Sequence, residues 1–96
     1  MRVISKKLRD SARGQNCTLR LDCCNGDPET TVLAHLPCGH KGVGMKSPDN
    51  MAVFACSTCH TALDGAGRWD IHARDYLRAL AETQLYWLEN GLMVIK

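Results

Sequence analysis

Aromatic side chains are scarce in this chain. One Phe, two Trp and two Tyr are all that its 96 residues contain. A single domain of this size buries only about 60–65% of its unfolded surface. A core built from apolar packing alone is therefore thinly supplied, and a metal or disulfide staple is expected. No apolar run approaches the ~18 residues of a membrane-spanning helix. The opening "MRVISKKLRD" lacks the apolar stretch and small-residue cleavage site of an export signal. These absences argue against a helical membrane protein and lead to the expectation of a cytoplasmic one. In the cytoplasm thiols stay reduced, and cysteine clusters bind metal more often than they form disulfides. Internal repeats and low-complexity segments are also missing.

The net charge of +2 says little by itself, but its distribution says more. Arg2, Lys6, Lys7, Arg9, Arg13 and Arg20, half of the twelve basic residues, stand in the first 20 positions against Asp10 alone. A basic end of this kind suits phosphate, so Lys6, Lys7, Arg9 and Arg13 are the candidate nucleic-acid contacts. The pattern of Val3, Ile4, Leu8 and Ala12 predicts a short helix over 3–13, ending near Gly14. "CTLRLDCC" alternates apolar and polar residues and reads as a short extended piece. "NGDPE" is turn chemistry. "TTVLAHL" and "MAVFAC" read as two strands, joined by the loop "PCGHKGVGMKSPDN" with three glycines and two prolines. "STCHTALD" reads as a short helix capped by Ser57 or Thr58, with Gly65 and Gly67 stopping it. From Trp69 to Asn90 an amphipathic helix is expected, with Ala73, Leu77, Leu80, Ala81, Gln84 and Leu88 on its inner face. Gly91 is its C-terminal cap, and "LMVIK" offers a final strand. Trp69, Tyr76, Tyr86 and Trp87 read as core or partner surface, and His40 and His72 as structural or solvated.

Six cysteines invite a zinc site. Structural zinc takes four ligands in a tetrahedron, and a Cys-x-x-Cys knuckle aims two thiolates at one metal. Cys56 and Cys59 form that half-site. The preferred second half is Cys17 with Cys24. The rival is Cys38 with His40. Cys23 and Cys24 are adjacent, so in an extended piece their side chains diverge and at most one is a ligand.

A second constellation remains. His35 ends the first predicted strand, Asn50 precedes the second, and His60 and Asp64 stand one turn apart on the short helix, facing one way. An imidazole and a carboxylate so placed suit a divalent cation with open positions. A facing histidine can take a proton from water, held by an asparagine amide. Phosphodiester hydrolysis needs these parts: charge neutralisation at the phosphate and a base for water. A zinc-stapled module that binds nucleic acid or protein without cutting has no need of them.

"AHLP" followed by "PDNMAVFACSTCHTALDG" resembles the His-Asn-His endonuclease family, the ββα-metal nucleases. More narrowly, "ARGQNCTLRLDCCNGDPETTVLAHL" with "CSTCHTALDG" resembles a small family of prophage-encoded nucleases, and a phage recombination-enhancing nuclease is a more distant likeness. The resemblance implies an α+β fold: one zinc-stapled, treble-clef-like ββα-metal domain over 1–96. Its basic segment is 1–14, its core 15–67, and its added C-terminal helix 69–90. It implies His35 as general base and Asn50 as the residue orienting it, with Asp49 as an alternative for that slot. It implies structural Zn²⁺ on Cys17, Cys24, Cys56 and Cys59, and catalytic Mg²⁺ or Mn²⁺ on His60 and Asp64. DNA is the implied substrate and a recombinase filament the implied partner. Ala34 departs from the pattern, since many members carry an acid or a second histidine there.

Overall fold

The computed structural model describes residues 3–36, 48–64 and 71–95. Of the expected loop over 37–50, residues 37–47, with Cys38 and His40, lie outside the described residues, as do Gly65, Gly67 and Trp69. The architecture is a small α+β unit. Helix α1 (Lys6–Ser11) is followed by a 3₁₀ turn (Pro28–Thr30), strands β1 (Val32–His35) and β2 (Ala52–Ala55), helix α2 (Ser57–Asp64) and helix α3 (Ala73–Glu89).

The two strands pair antiparallel, with Val32 opposite Ala55 and His35 opposite Ala52. Alternation along them feeds two cores. Ala34, Val53 and Ala55 face one side, with Cys17, Leu19, Cys56, Cys59 and Ala79. Phe54 faces the other, with Leu8, Ala12 and Trp87 buried beside it and Leu33 packed against them. On that second side Phe54 meets Tyr86 and Trp87 edge-on, with ring centroids 5.5 and 6.0 Å apart. This is the favoured geometry for aromatic pairs. Trp87 is fully buried and its Nε1–H donates to Ser11 Oγ at 2.8 Å. The aromatic core thus ties α3 to α1.

α1 is capped by Ser5, whose hydroxyl accepts from the Leu8 N–H at 3.2 Å. It starts three residues later than the apolar pattern suggests, because Val3 pairs elsewhere: its carbonyl accepts from the Asp49 N–H at 2.9 Å. α2 begins at Ser57, so Cys56, not Ser57 or Thr58, occupies the cap position. α3 ends at Glu89, and Gly91 closes it as expected. The Leu92 N–H reaches the Trp87 carbonyl at 2.8 Å and the Gly91 N–H the Leu88 carbonyl at 3.3 Å. This double closure needs the left-handed backbone that Gly91 adopts at φ 70°.

Three expectations are corrected. The inner stripe of α3 is Tyr76, Ala79, Leu80, Thr83 and Trp87, and Leu77 lies 70% exposed on the outside. The helix is rotated because Thr83 is needed inside. Its hydroxyl accepts from the Phe54 N–H at 3.2 Å, while the Phe54 carbonyl takes the Thr18 N–H and hydroxyl, both at 2.8 Å. At Phe54 the free edge of β2 is thereby satisfied by two buried threonines. The C-terminal "LMVIK" forms no strand over its described residues; Leu92 and Met93 fold back onto the aromatic core. "CTLRLDCC" is no strand either, for reasons that belong to the site.

Candidate metal centre and active site

Cys17 to Cys24 fold as tight turns. Arg20 takes a left-handed backbone, φ 46°, which side-chain-bearing residues rarely adopt. That turn aims the Arg20 N–H at Cys17 Sγ, 3.5 Å away, and Arg20 is held by a two-pronged pair with Glu82 at 2.8 and 2.7 Å. The Cys24 N–H closes onto the Leu21 carbonyl at 2.9 Å. Cys24 then points inward, whereas Cys23 Sγ points away, toward the Thr58 carbonyl at 3.7 Å.

The sulfurs of Cys17, Cys24, Cys56 and Cys59 lie within 4.8 Å of one another. Cys24 Sγ and Cys56 Sγ are 3.7 Å apart. A disulfide needs about 2.05 Å, whereas the edge of a zinc–thiolate tetrahedron with ~2.3 Å bonds is about 3.8 Å. Every thiol also meets a backbone N–H: Cys17 that of Arg20, Cys24 that of Gly26, Cys56 those of Cys59 and Asn25, and Cys59 that of Leu21. Such donors hold thiolates in place around a metal. Burial opposes ionisation of Cys56, but the Thr58 hydroxyl and those N–H groups outweigh it and bring its pKa down to about 6. Burial pushes Cys59 and Cys24 up. Four convergent sulfurs in a protein interior suit a soft or borderline cation such as zinc.

On the opposite flank, His35 ends β1 with Nε2 2.7 Å from Asp49 Oδ1. Asp49 is 1% exposed. Its carboxylate also accepts from the Ser5 N–H at 2.6 Å and from Arg9 at 2.9 and 3.3 Å. Burial works against its ionisation, yet His35, Ser5 and Arg9 prevail and hold it below the usual carboxylate range. The residue on the His35 ring is thus Asp49. Asn50 sits beside it with its carbonyl accepting from Gln84 Nε2 at 2.8 Å, and its side-chain Oδ1 is buried without a hydrogen-bond partner among the described residues. An open groove of about 330 Å³ runs from His35 along α1, past Thr31 and Val32, to Arg9 and Arg13.

His60 and Asp64 pair with each other, Nε2 to Oδ2 at 3.0 Å, on the exposed side of α2. Among the described residues, no third His, Cys, Asp or Glu ligand atom joins either that pair or the His35–Asp49 pair. Of the basic candidates, Lys6 is engaged with Asp10 at 2.7 Å, Arg9 with Asp49, and Lys7 and Arg13 are exposed. Reading the sequence missed Arg9 as a buried-carboxylate partner, Thr83 altogether, and Arg20 as anything beyond a member of the basic end. Arg20 carries no glycine or turn signal that would have marked its backbone.

Residues 6–91 match the family described as "Putative nuclease YbcO". The chain belongs to the YbcO family. Two curated members, "Putative nuclease YbcO" of Escherichia coli strain K12 and "Putative nuclease ybcO" of Enterobacteria phage 82, are each 42% identical to it over 95 residues. Those alignments cover 90% of this chain and 95% of each relative. A solved structure, described as that of a putative bacteriophage protein from E. coli K-12 MG1655, superposes with a TM-score of 0.68 at 37% identity. It covers 88% of this chain and all of its own. The likeness to YbcO proteins therefore spans both the cysteine cluster and the His35–Asp49 flank. No described helix is long and apolar enough to cross a membrane.

Proposed function

We propose that this chain is a metal-assisted endonuclease that hydrolyses phosphodiester bonds in DNA. The observation that carries the reading is the His35–Asp49 pair at the mouth of a groove edged by Arg13. Names of the YbcO relatives support it at the level of a nuclease. With Nε2 turned to Asp49, Nδ1 is the nitrogen left to take a proton from water. Asp49 fixes the ring's tautomer and stabilises the imidazolium that forms. Asn50 borders the same turn, with its Oδ1 buried and without a hydrogen-bond partner among the described residues. Arg13, with Lys6 and Lys7 along α1, attracts the phosphate backbone.

The order Cys17–Cys24 turns, β1, β2, α2, with two cysteines from those turns and two from the start of α2, supports a treble-clef-like ββα-metal domain of the His-Asn-His type. Cys17, Cys24, Cys56 and Cys59 would hold Zn²⁺ as a structural staple. His60 and Asp64, an imidazole and a carboxylate at hydrogen-bond distance, suit Mg²⁺ or Mn²⁺, which would neutralise charge at the scissile phosphate. The phage relative supports a place in phage or prophage DNA processing, in the cytoplasm, with a recombinase filament as a partner worth adding to the assay. The test is plasmid nicking with Mg²⁺ or Mn²⁺, with and without that partner, by the wild type and by His35→Ala. Nicking by the wild type alone supports the reading. DNA binding without nicking under every condition replaces it with a zinc-stapled, non-cutting binding module, a reading favoured by the absence, among the described residues, of a third His, Cys, Asp or Glu ligand atom at His60–Asp64.

A further inference from the structure

α3 carries two apolar stripes, and its own core uses one. The other, Leu77, Ala81 and Leu85, follows an i, i+4, i+8 row on the outer side, with Leu77 70% and Leu85 55% exposed. We infer that this stripe is the docking surface for a second copy of the chain, α3 against α3, antiparallel about a two-fold axis at Ala81.

The pattern is self-complementary. Across a two-fold axis at Ala81, Leu77 of each copy meets Leu85 of the other, as an isologous interface requires. Rows at i±4 pack into the matching grooves of a like helix, and a small residue at the crossing lets the axes approach to about 8 Å. The charges agree. Arg74 lies one turn before Leu77 and Glu89 one turn after Leu85, and neither has an ion-pair partner among the described residues. The helix's other arginine and glutamate are already engaged. Arg78 binds Asp75 at 3.0 Å and the carbonyls of Thr18 and Leu19 at 3.2 and 2.6 Å. Glu82 binds Arg20. An antiparallel copy brings Arg74 toward Glu89 twice, once at each end. An anionic membrane or a nucleic acid would meet Glu89, which has no ion-pair partner among the described residues, at one end of the stripe and be repelled there. Only a partner whose charges run in the reverse order matches, and the chain itself is one. The surface does not depend on the catalytic reading.

Sedimentation velocity on the full zinc-loaded chain tests this. One helix stripe falls short of the ~800 Å² per partner of a standard interface, so a dissociation constant of roughly 10–100 µM is expected. Leu77→Glu and Leu85→Glu should each raise it at least about tenfold. Both side chains lie in solvent, so zinc content and circular dichroism should stay unchanged. Arg74→Glu and Glu89→Arg should each weaken the dimer, and the double variant should restore it. A wild type that stays monomeric to about 500 µM, a dimer indifferent to Leu77→Glu and Leu85→Glu, or a double charge swap no better than its singles would each overturn the inference.

Discussion

Asp49 Oδ1 lies 2.7 Å from His35 Nε2 across fourteen residues of chain, and the same carboxylate receives Arg9 and the Ser5 N–H from the start of the molecule. The histidine at the groove is therefore held by a group that also anchors α1. Asp49→Asn keeps the shape and removes the charge. It should lower thermal stability by ~2–3 kcal/mol, since Arg9 and His35 lose a charged acceptor. It should also slow nicking, whereas His35→Ala should slow it by ~10²–10⁴-fold while the fold survives. Plasmid nicking and melting curves on both variants separate the two effects.

Acid should act on the same group with a definite sign. The folded carboxyl of Asp49 sits below its ordinary value, so its stabilisation is complete above the unfolded pKa, about 4. It is lost as pH falls through the lower, folded value. The stability difference between wild type and Asp49→Asn should thus be largest near neutrality and shrink below about pH 4. Urea denaturation of the pair at several pH values measures it, and subtracting the variant cancels whatever the thiolates contribute.

Adjacent cysteines should behave oppositely. Cys24 faces the other three sulfurs and Cys23 faces the Thr58 carbonyl. Cys24→Ser should lose the metal and most of the fold, because structural zinc supplies ~10 kcal/mol or more of apparent folding energy in small domains. Cys23→Ser should keep both. Elemental analysis alongside circular dichroism decides between them, and chelation of the wild type should reproduce the Cys24→Ser spectrum.

Arg9 and Arg13 stand one helical turn apart and should separate as well. Arg13 is exposed and makes no ion pair among the described residues, so Arg13→Ala should weaken DNA binding and make the salt dependence shallower, by ~0.9 log units per log unit of salt for each phosphate it neutralises. Arg9→Ala should instead lower the melting temperature, since it strips a partner from a buried carboxylate. Fluorescence anisotropy over a salt series, with a melt on each variant, reads both.

Some of this was legible in the residues. The β-branched run before His35 placed one strand and the apolar run before Cys56 the other, the Cys56–Cys59 spacing placed one half of the cluster, and Gly91 placed a helix end. Adjacent cysteines announced that only one could point inward. The misreadings share a physical cause. Apolar periodicity counts Leu77 as core and Thr83 as surface, but an unpaired strand edge makes a buried hydroxyl worth more than another leucine at that position. Alternation in "CTLRLDCC" suggested an extended piece, because sequence shows neither the left-handed turn at Arg20 nor the thiol that rewards it. Asp49 and Asn50 are neighbours of nearly equal size. Which one meets His35 is set by the turn after Pro48 and by Arg9 arriving from forty residues away.

All four residues of β2 are buried, with Val53 and Ala55 turned toward the sulfurs and Phe54 toward the aromatic rings. The segment consequently has no neutral face. A one-residue insertion there would exchange the two surroundings, bringing a benzyl ring against thiols and leaving Trp87 a methyl group to pack on. In a saturation library, Ala52–Ala55 should be the stretch where tolerance collapses at consecutive positions, while along α3 it should rise and fall with the turn of the helix.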